Sequence, residues 1–161
     1  MSQNDYVSSV KTIPYAQDTV YTYLSDMRNL ERIKQRLSDP SVKERIQQMA
    51  SQHNVGDIEE KLDKITFTQD TLSIAGSPVG GLSLKIVERE TPKTIKMQGE
   101  GTPVGVNMWI QLLPVDNLSC KMRVTLRADL NMFLRGMVGK HLQQAVENIA
   151  STLSSLPYDT L

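Results

Sequence analysis

Residues 131–156 read NMFLRGMVGKHLQQAVENIASTLSSL, and their spacing predicts one long helix. Asn131 is a good N-cap residue, and Pro157 stops the helix. A helix of this length measures roughly 38 Å, at about 1.5 Å per residue. Its long apolar stripe cannot stay in water, so the rest of the chain has to supply a matching concave surface. The stripe consists of Leu134, Val138, Leu142, Ala145, Ile149, Leu153 and Leu156.

Length and composition favour one globular domain over the whole chain, residues 1–161. Lys and Arg together number 18 and are balanced by 18 Asp and Glu. A nucleic-acid-binding domain usually has a basic excess, so nucleic acid is not an expected partner. The sequence contains no apolar run of transmembrane length and no signal-peptide hydrophobic region, and its single cysteine, Cys120, cannot form an internal disulfide. We therefore expect a cytoplasmic protein that does not span a membrane.

The residues before the long helix predict a strand, several helices and then six strands. Alternation over residues 6–13 predicts the first strand, and two short helices follow it. Residues 41–64, approximately, predict a helical insertion. From Ile65 onward the period is two, and the short connections are typical of an antiparallel meander. This order predicts an α+β fold in which a curved antiparallel sheet of about seven strands wraps around the C-terminal helix.

The order of elements resembles the START/polyketide-cyclase-like superfamily, SRPBCC, whose fold is the helix grip. The resemblance rests on residues 7–15 leading into a helix, on residues 82–90, on residues 109–114 and on the terminal helix. The insertion at residues 41–64 departs from the compact pattern of that superfamily. The resemblance implies a ligand held between sheet and helix. Because the superfamily has many functions, it does not identify the chemistry.

The inward positions of the predicted sheet indicate a hollow that faces the helix. Keeping the apolar faces together aligns Met97 with Ile110, and Ile110 with Met122. Glycines at two inward positions either bend the sheet or leave space, and the two interpretations are compatible. Methionines there either fill gaps in a core or form an adaptable wall for a ligand. The predicted ligand-binding residues of the sheet are Leu84, Ile86, Met97, Gly99, Gly101, Met108, Ile110, Met122 and Val124.

The start of the long helix is predicted to stand at the opening of this hollow. Two loops that contain Pro-Val-Gly, residues 77–80 and 102–105, lie at the same end of the meander. A helix N-terminus attracts anions, so an apolar ligand with an anionic head group would suit this opening. Alternatively, Asn131 satisfies the cap and Arg135 points to solvent. The residues that we assign to this part of the site are Phe133, Met137 and His141.

The sequence contains few candidates for catalysis. We expect no metal and no cofactor, because it contains no metal-ligand cluster, nucleophile elbow, phosphate loop or dinucleotide fingerprint. Glu88 is the one carboxylate whose alternation points inward, either as a strand-end ion pair or as an acid with a raised pKa. We therefore favour binding of a small or medium-sized hydrophobic ligand, lipid-like or polyketide-like, without catalysis. The alternatives are a cyclase- or aromatase-like enzyme and a protein-interaction module that uses the inserted helices, and a homodimer is left open.

Overall fold

The computed structural model describes residues 3–52, 58–77, 80–100, 104–156 and 158. Within these ranges, no helix combines the length and the apolar character needed to cross a membrane. The order of elements confirms the predicted α+β architecture. The elements are β1 (Gln3–Val7), β2 (Lys11–Ile13), α1 (Gln17–Leu24), α2 (Arg28–Arg36), α3 (Pro40–Gln52), α4 (Ile58–Asp63), β3 (Ile65–Phe67), β4 (Thr71–Ser77), β5 (Gly80–Glu90), β6 (Thr94–Glu100), β7 (Val106–Asp116), β8 (Ser119–Asp129) and α5 (Met132–Ser154).

The strands form one antiparallel sheet in the order β1-β8-β7-β6-β5-β4-β3, and β2 also pairs with β8. The predicted first strand is therefore two strands, which gives eight strands in the described part of the chain rather than about seven. At the break, the Ser8 hydroxyl accepts a hydrogen bond from the Val124 N–H at 3.0 Å. The Ser9 N–H and hydroxyl donate to the Glu147 carboxylate of α5 at 2.7 and 2.9 Å. The strand is thus interrupted where its polar groups attach the helix.

The predicted inner face of the sheet is confirmed, but the predicted rows across β6, β7 and β8 are wrong. Met97 lies opposite Met108 rather than Ile110, and Ile110 lies opposite Val124 rather than Met122. Each offset is two residues. An offset of two leaves every side chain on its own face, because side chains alternate with period two. Alternation therefore predicts the face of a strand, whereas turn geometry decides its register.

Helix α5 crosses the sheet and begins as predicted. The Asn131 side chain caps it by accepting a hydrogen bond from the Leu134 N–H at 2.8 Å. The helix packs against β8, β1 and β2, and also against α3 and α4. The predicted apolar stripe faces these elements. Its residues Val138, Leu142, Ile149, Leu153 and Leu156 are buried, and Leu134 is half-buried.

The inserted helices contribute buried residues to the core. Ile46 and Ala50 of α3 and Leu62 of α4 are completely or almost completely buried in the same cluster as the sheet. Ile46 and Ala50 are four residues apart and therefore share one face of their helix. Both inserted helices contact α5. This segment therefore packs on α5 and, through α4, on the edge strand β3.

Candidate ligand-binding site

The structure brings most of the predicted sheet residues together on the face that carries α5. Gly99 lies opposite Leu84 and is half-buried. Gly101 and half of the residues in the two Pro-Val-Gly loops (78, 79, 102 and 103) lie outside the described residues. The remaining predicted side chains of the sheet are all buried: Leu84, Ile86, Met97, Met108, Ile110, Met122 and Val124.

These side chains fill the space around them. Met97, Met108, Ile110 and Val124 are 0% exposed, so no water-sized void adjoins them. Four cavities lined by described residues lie elsewhere, on the surfaces of α3 and α2, on the outer face of the sheet, and beside the β7–β8 hairpin. A ligand between the sheet and α5 therefore has to displace side chains. Methionine suits this task, since its unbranched side chain adapts to irregular space.

The interior between sheet and α5 retains some solvent exposure at one end, which we call the open end and define by Tyr6, Val106 and Val138. Their exposed fractions are 9%, 6% and 7%, respectively. Tyr6 pairs with Leu126 of β8, shortly before the chain enters α5. At the opposite end, which we call the closed end, residues 151–156 and Tyr158 are all buried. The interior thus reaches solvent beside the N-terminal half of α5, whereas the closed end is fully packed.

Tyr6 is a candidate site residue that the sequence analysis did not identify. Its hydroxyl is buried and has no hydrogen-bond partner. The ring lies against α5, where a Cβ at Gly139 would stand only 3.3 Å from Tyr6 Oη. Burying a hydroxyl without a partner costs about 1–3 kcal/mol, so such a group calls for an explanation. Alternation places Tyr6 on the inner face, but no sequence signal shows that its hydroxyl lacks a partner.

The three site residues predicted on the helix are not brought together with the sheet residues. Phe133 is 72% exposed and Met137 is 57% exposed, and His141 is exposed as well. Phe133 is five residues from Val138, which turns it roughly 140° around the helix from that inward position. Together with Met132, Phe133 and Met137 form an exposed apolar patch beside the open end rather than a wall inside it.

Glu88 faces outward, which corrects its assignment as an inward carboxylate. A bulge between Ile86 and Glu88 shifts the register, so Glu88 lies opposite Lys96, and Arg89 lies opposite Ile95. One extra residue in a strand reverses the alternation beyond it. Glu88 consequently lines a shallow cavity on the outer face with Trp109. It cannot act as an acid in the space between sheet and helix.

Glu147 anchors α5 to the broken edge of the sheet. Its carboxylate accepts the two hydrogen bonds from Ser9 and forms an ion pair with Lys11 Nζ at 2.7 Å. Partial burial by itself raises the pKa of Glu147, but the hydrogen bonds from Lys11 and Ser9 outweigh it and hold the pKa below its ordinary value. The side chain of Gln143 donates a further hydrogen bond to the Val7 carbonyl at 2.8 Å.

Among the described residues we find neither a metal-binding cluster nor an exposed cysteine. No three His, Cys, Asp or Glu side chains there are grouped so that they could hold a metal ion. Cys120 is buried, and burial raises its pKa to about 11. Its thiol therefore stays protonated at neutral pH and packs as a small apolar group.

No protein-family model and no curated protein sequence matches this chain. Solved structures match almost its whole length. One is norcoclaurine synthase from Thalictrum flavum in complex with dopamine and hydroxybenzaldehyde, with a TM-score of 0.62, 11% identity, and coverage of 99% of this chain and 89% of that chain. Another, from Mesorhizobium loti, has a TM-score of 0.56 and 14% identity, and covers 98% of this chain and 99% of its own. At these identities the likeness shows the fold alone.

Proposed function

This chain has the helix-grip fold of the SRPBCC superfamily, and we propose that it uses this fold to bind a small or medium-sized hydrophobic molecule without catalysis. The observation that carries the proposal is the apolar interior between sheet and α5, which is rich in methionine and retains some exposure at the open end. Within this interior, Met97 of β6 and Met108 of β7 lie directly opposite each other. An apolar ligand would gain free energy by leaving water for this interior.

The same interior explains how a ligand could be accommodated. Rotation of Met97 and Met108 would free volume next to Gly99, which has no side chain of its own. The N-terminal half of α5 can move at little cost, because Met132, Phe133 and Met137 are exposed and bury little area that such a movement would uncover. We therefore expect the ligand to enter beside this half of the helix.

The two alternatives receive less support. An enzyme of the cyclase type needs an acid or base that faces the ligand, and Glu88 lies on the outer face instead. An interaction module that uses the inserted helices needs their apolar residues at the surface, but Ile46, Ala50 and Leu62 are buried. Norcoclaurine synthase shares the fold with this chain, but a shared fold does not transfer a reaction.

Gly99→Leu tests the proposal by filling the proposed space. We expect an environment-sensitive apolar fluorescent probe to bind the wild-type protein, and we expect its affinity to fall at least tenfold in Gly99→Leu. Overpacking of this kind should change the free energy of unfolding by about 1–3 kcal/mol, so the variant should remain folded at 25 °C.

Gly136→Leu is the matched control, because a Cβ at Gly136 meets no atom within 4 Å. This variant should bind the probe like the wild type. Equal affinity of the Gly99 and Gly136 variants would place the probe outside the sheet–helix space. A wild-type protein that takes up no apolar probe would contradict the proposed function as a whole.

A further inference from the structure

We infer that the open end binds the carboxylate of an amphipathic ligand through the Tyr6 hydroxyl and the Arg135 guanidinium. This inference rests on the proposed function and specifies its ligand as an apolar molecule with one acidic head group. It starts from Tyr6, whose side chain is more than nine-tenths buried and whose hydroxyl has no partner. The unused hydroxyl can donate a hydrogen bond to a ligand as soon as one displaces the atoms around it.

Tyr6 and Arg135 approach the same point on α5. A Cβ at Gly139 would lie 3.3 Å from Tyr6 Oη and 3.9 Å from Arg135 Cγ. The guanidinium lies beyond Cγ on a flexible side chain, so it can reach a group that is bound to the Tyr6 hydroxyl. Within the described part of the chain, no ion pair engages Arg135. The two groups therefore offer an unused hydrogen-bond donor and an unused cation at one place.

The electrostatics of the helix also favour an anion here. The first turn of α5 contains no acidic residue, so no side chain of that turn opposes the charge of Arg135. The partial positive charge of the helix N-terminus acts only within the first turn, so Arg135 supplies the positive charge near Gly139. A guanidinium can hold a carboxylate with two parallel hydrogen bonds, and a tyrosine hydroxyl can donate a third.

A buried water is the competing explanation for the Tyr6 hydroxyl. An internal water needs two to four polar partners. Within the described part of the chain, no protein group forms a hydrogen bond with Tyr6 Oη. A ligand carboxylate brings its own acceptor oxygens and does not depend on such partners. The hydroxyl is therefore available to a ligand.

The experiment compares decanoate with decanol, which have the same chain length but differ in charge, by calorimetric titration of the full chain at pH 8. The wild-type protein should bind decanoate about ten times more tightly than decanol, or more, because hydrogen bonds to a charged group are the stronger ones. Tyr6→Phe and Arg135→Gln should each lower the decanoate affinity roughly tenfold and leave the decanol affinity unchanged. Arg135 is exposed, so its variant tests the site even if Tyr6→Phe folds poorly.

Tyr21→Phe is the matched control, since the Tyr21 hydroxyl is hydrogen-bonded to Thr91 Oγ1 at 3.2 Å. It should bind both compounds like the wild type. Equal affinities of the wild type for decanoate and decanol, or undiminished decanoate binding by Tyr6→Phe, would overturn this inference and leave the proposed function standing. Binding of neither compound by the wild type would contradict the proposed function, and the inference with it.

Discussion

The two ends of α5 are held in opposite ways. At the closed end, every residue from 151 to 156 is buried, and the Tyr158 hydroxyl donates a hydrogen bond to the Leu153 carbonyl at 2.6 Å. The rings of Tyr15 and Tyr23 lie 6.0 and 6.1 Å from that of Tyr158. At the open end, Met132, Phe133 and Met137 are exposed, and the Tyr6 hydroxyl has no partner.

This difference shows how one helix can both complete a core and admit a ligand. The closed end supplies the buried area and hydrogen bonds that keep the helix in place. The open end has fewer buried contacts, and local opening is least costly where contacts are few. We therefore expect α5 to move at its N-terminal half while its C-terminal half stays packed. The predictions below test this division.

Shortening the same side chain at each end should give the largest difference. Leu153 is 2% exposed at the closed end, whereas Leu134 is half-buried at the open end. Leu153→Ala should lower the free energy of unfolding by about 2–5 kcal/mol, since it leaves a cavity. Leu134→Ala should cost less than about 1.5 kcal/mol, because solvent and neighbours can close the gap. Denaturant titration of both variants measures the difference, and equal losses would contradict the division of α5.

Removing a hydroxyl from each end sharpens the comparison. Tyr158→Phe leaves the buried Leu153 carbonyl without its donor, which should cost about 1–3 kcal/mol. Burial raises the pKa of Tyr158, so its hydroxyl remains protonated and able to donate at neutral pH. Tyr6→Phe removes a hydroxyl without a partner and should leave the free energy of unfolding unchanged or raise it by about 1 kcal/mol. A large loss from Tyr6→Phe in thermal or chemical unfolding would mean that its hydroxyl has a structural partner after all.

Acidification should weaken the attachment of α5 to the edge of the sheet between the two ends. The pKa of Glu147 is lowered in the folded protein from its ordinary value of 4.5. Its contribution is therefore present above about pH 4.5 and is lost as the pH falls through the lower pKa of the folded state. Glu147→Gln should cost about 1 kcal/mol at pH 7, because the pair is partly exposed.

The measurement is the difference in the free energy of unfolding between wild type and Glu147→Gln, determined at several pH values. The stability gap between wild type and Glu147→Gln should narrow from pH 7 to pH 3, and other titrating carboxylates cancel because both proteins contain them. A gap that stays constant over this range would show that the ionised carboxylate contributes nothing to stability. Lys11 would then pack against α5 without an effective ion pair.

Local patterns in the sequence were enough to predict the helix, the strand faces and the order of elements. The alternation of residues 120–128 predicted β8, and the Asn131 cap with its apolar stripe predicted α5. These features depend on near neighbours in the chain, whose spacing is visible in the sequence. The inward positions of the described sheet residues follow from the same alternation and are confirmed by their burial, whereas their role in binding stays a prediction.

Contacts between distant residues decided what the patterns could not. One extra residue at the bulge after Ile86 turned Glu88 outward, and the rows of Met97 and Ile110 shifted by two positions. The alternation of apolar residues does not reveal the bulge or the two-residue shift, because both depend on the partner strand and the turn.

The sequence by itself determined that an apolar helix would be gripped by a curved sheet, since period and hydrophobicity are properties of neighbouring residues. Only the tertiary structure decided that α3 and α4 pack on α5 and that Phe133 and Met137 face solvent. It alone left the Tyr6 hydroxyl buried against Gly139 without a partner. Whether a buried polar group has a partner depends on every segment that packs around it. Here 132 residues of sequence separate Tyr6 from Gly139, although the two meet in the structure.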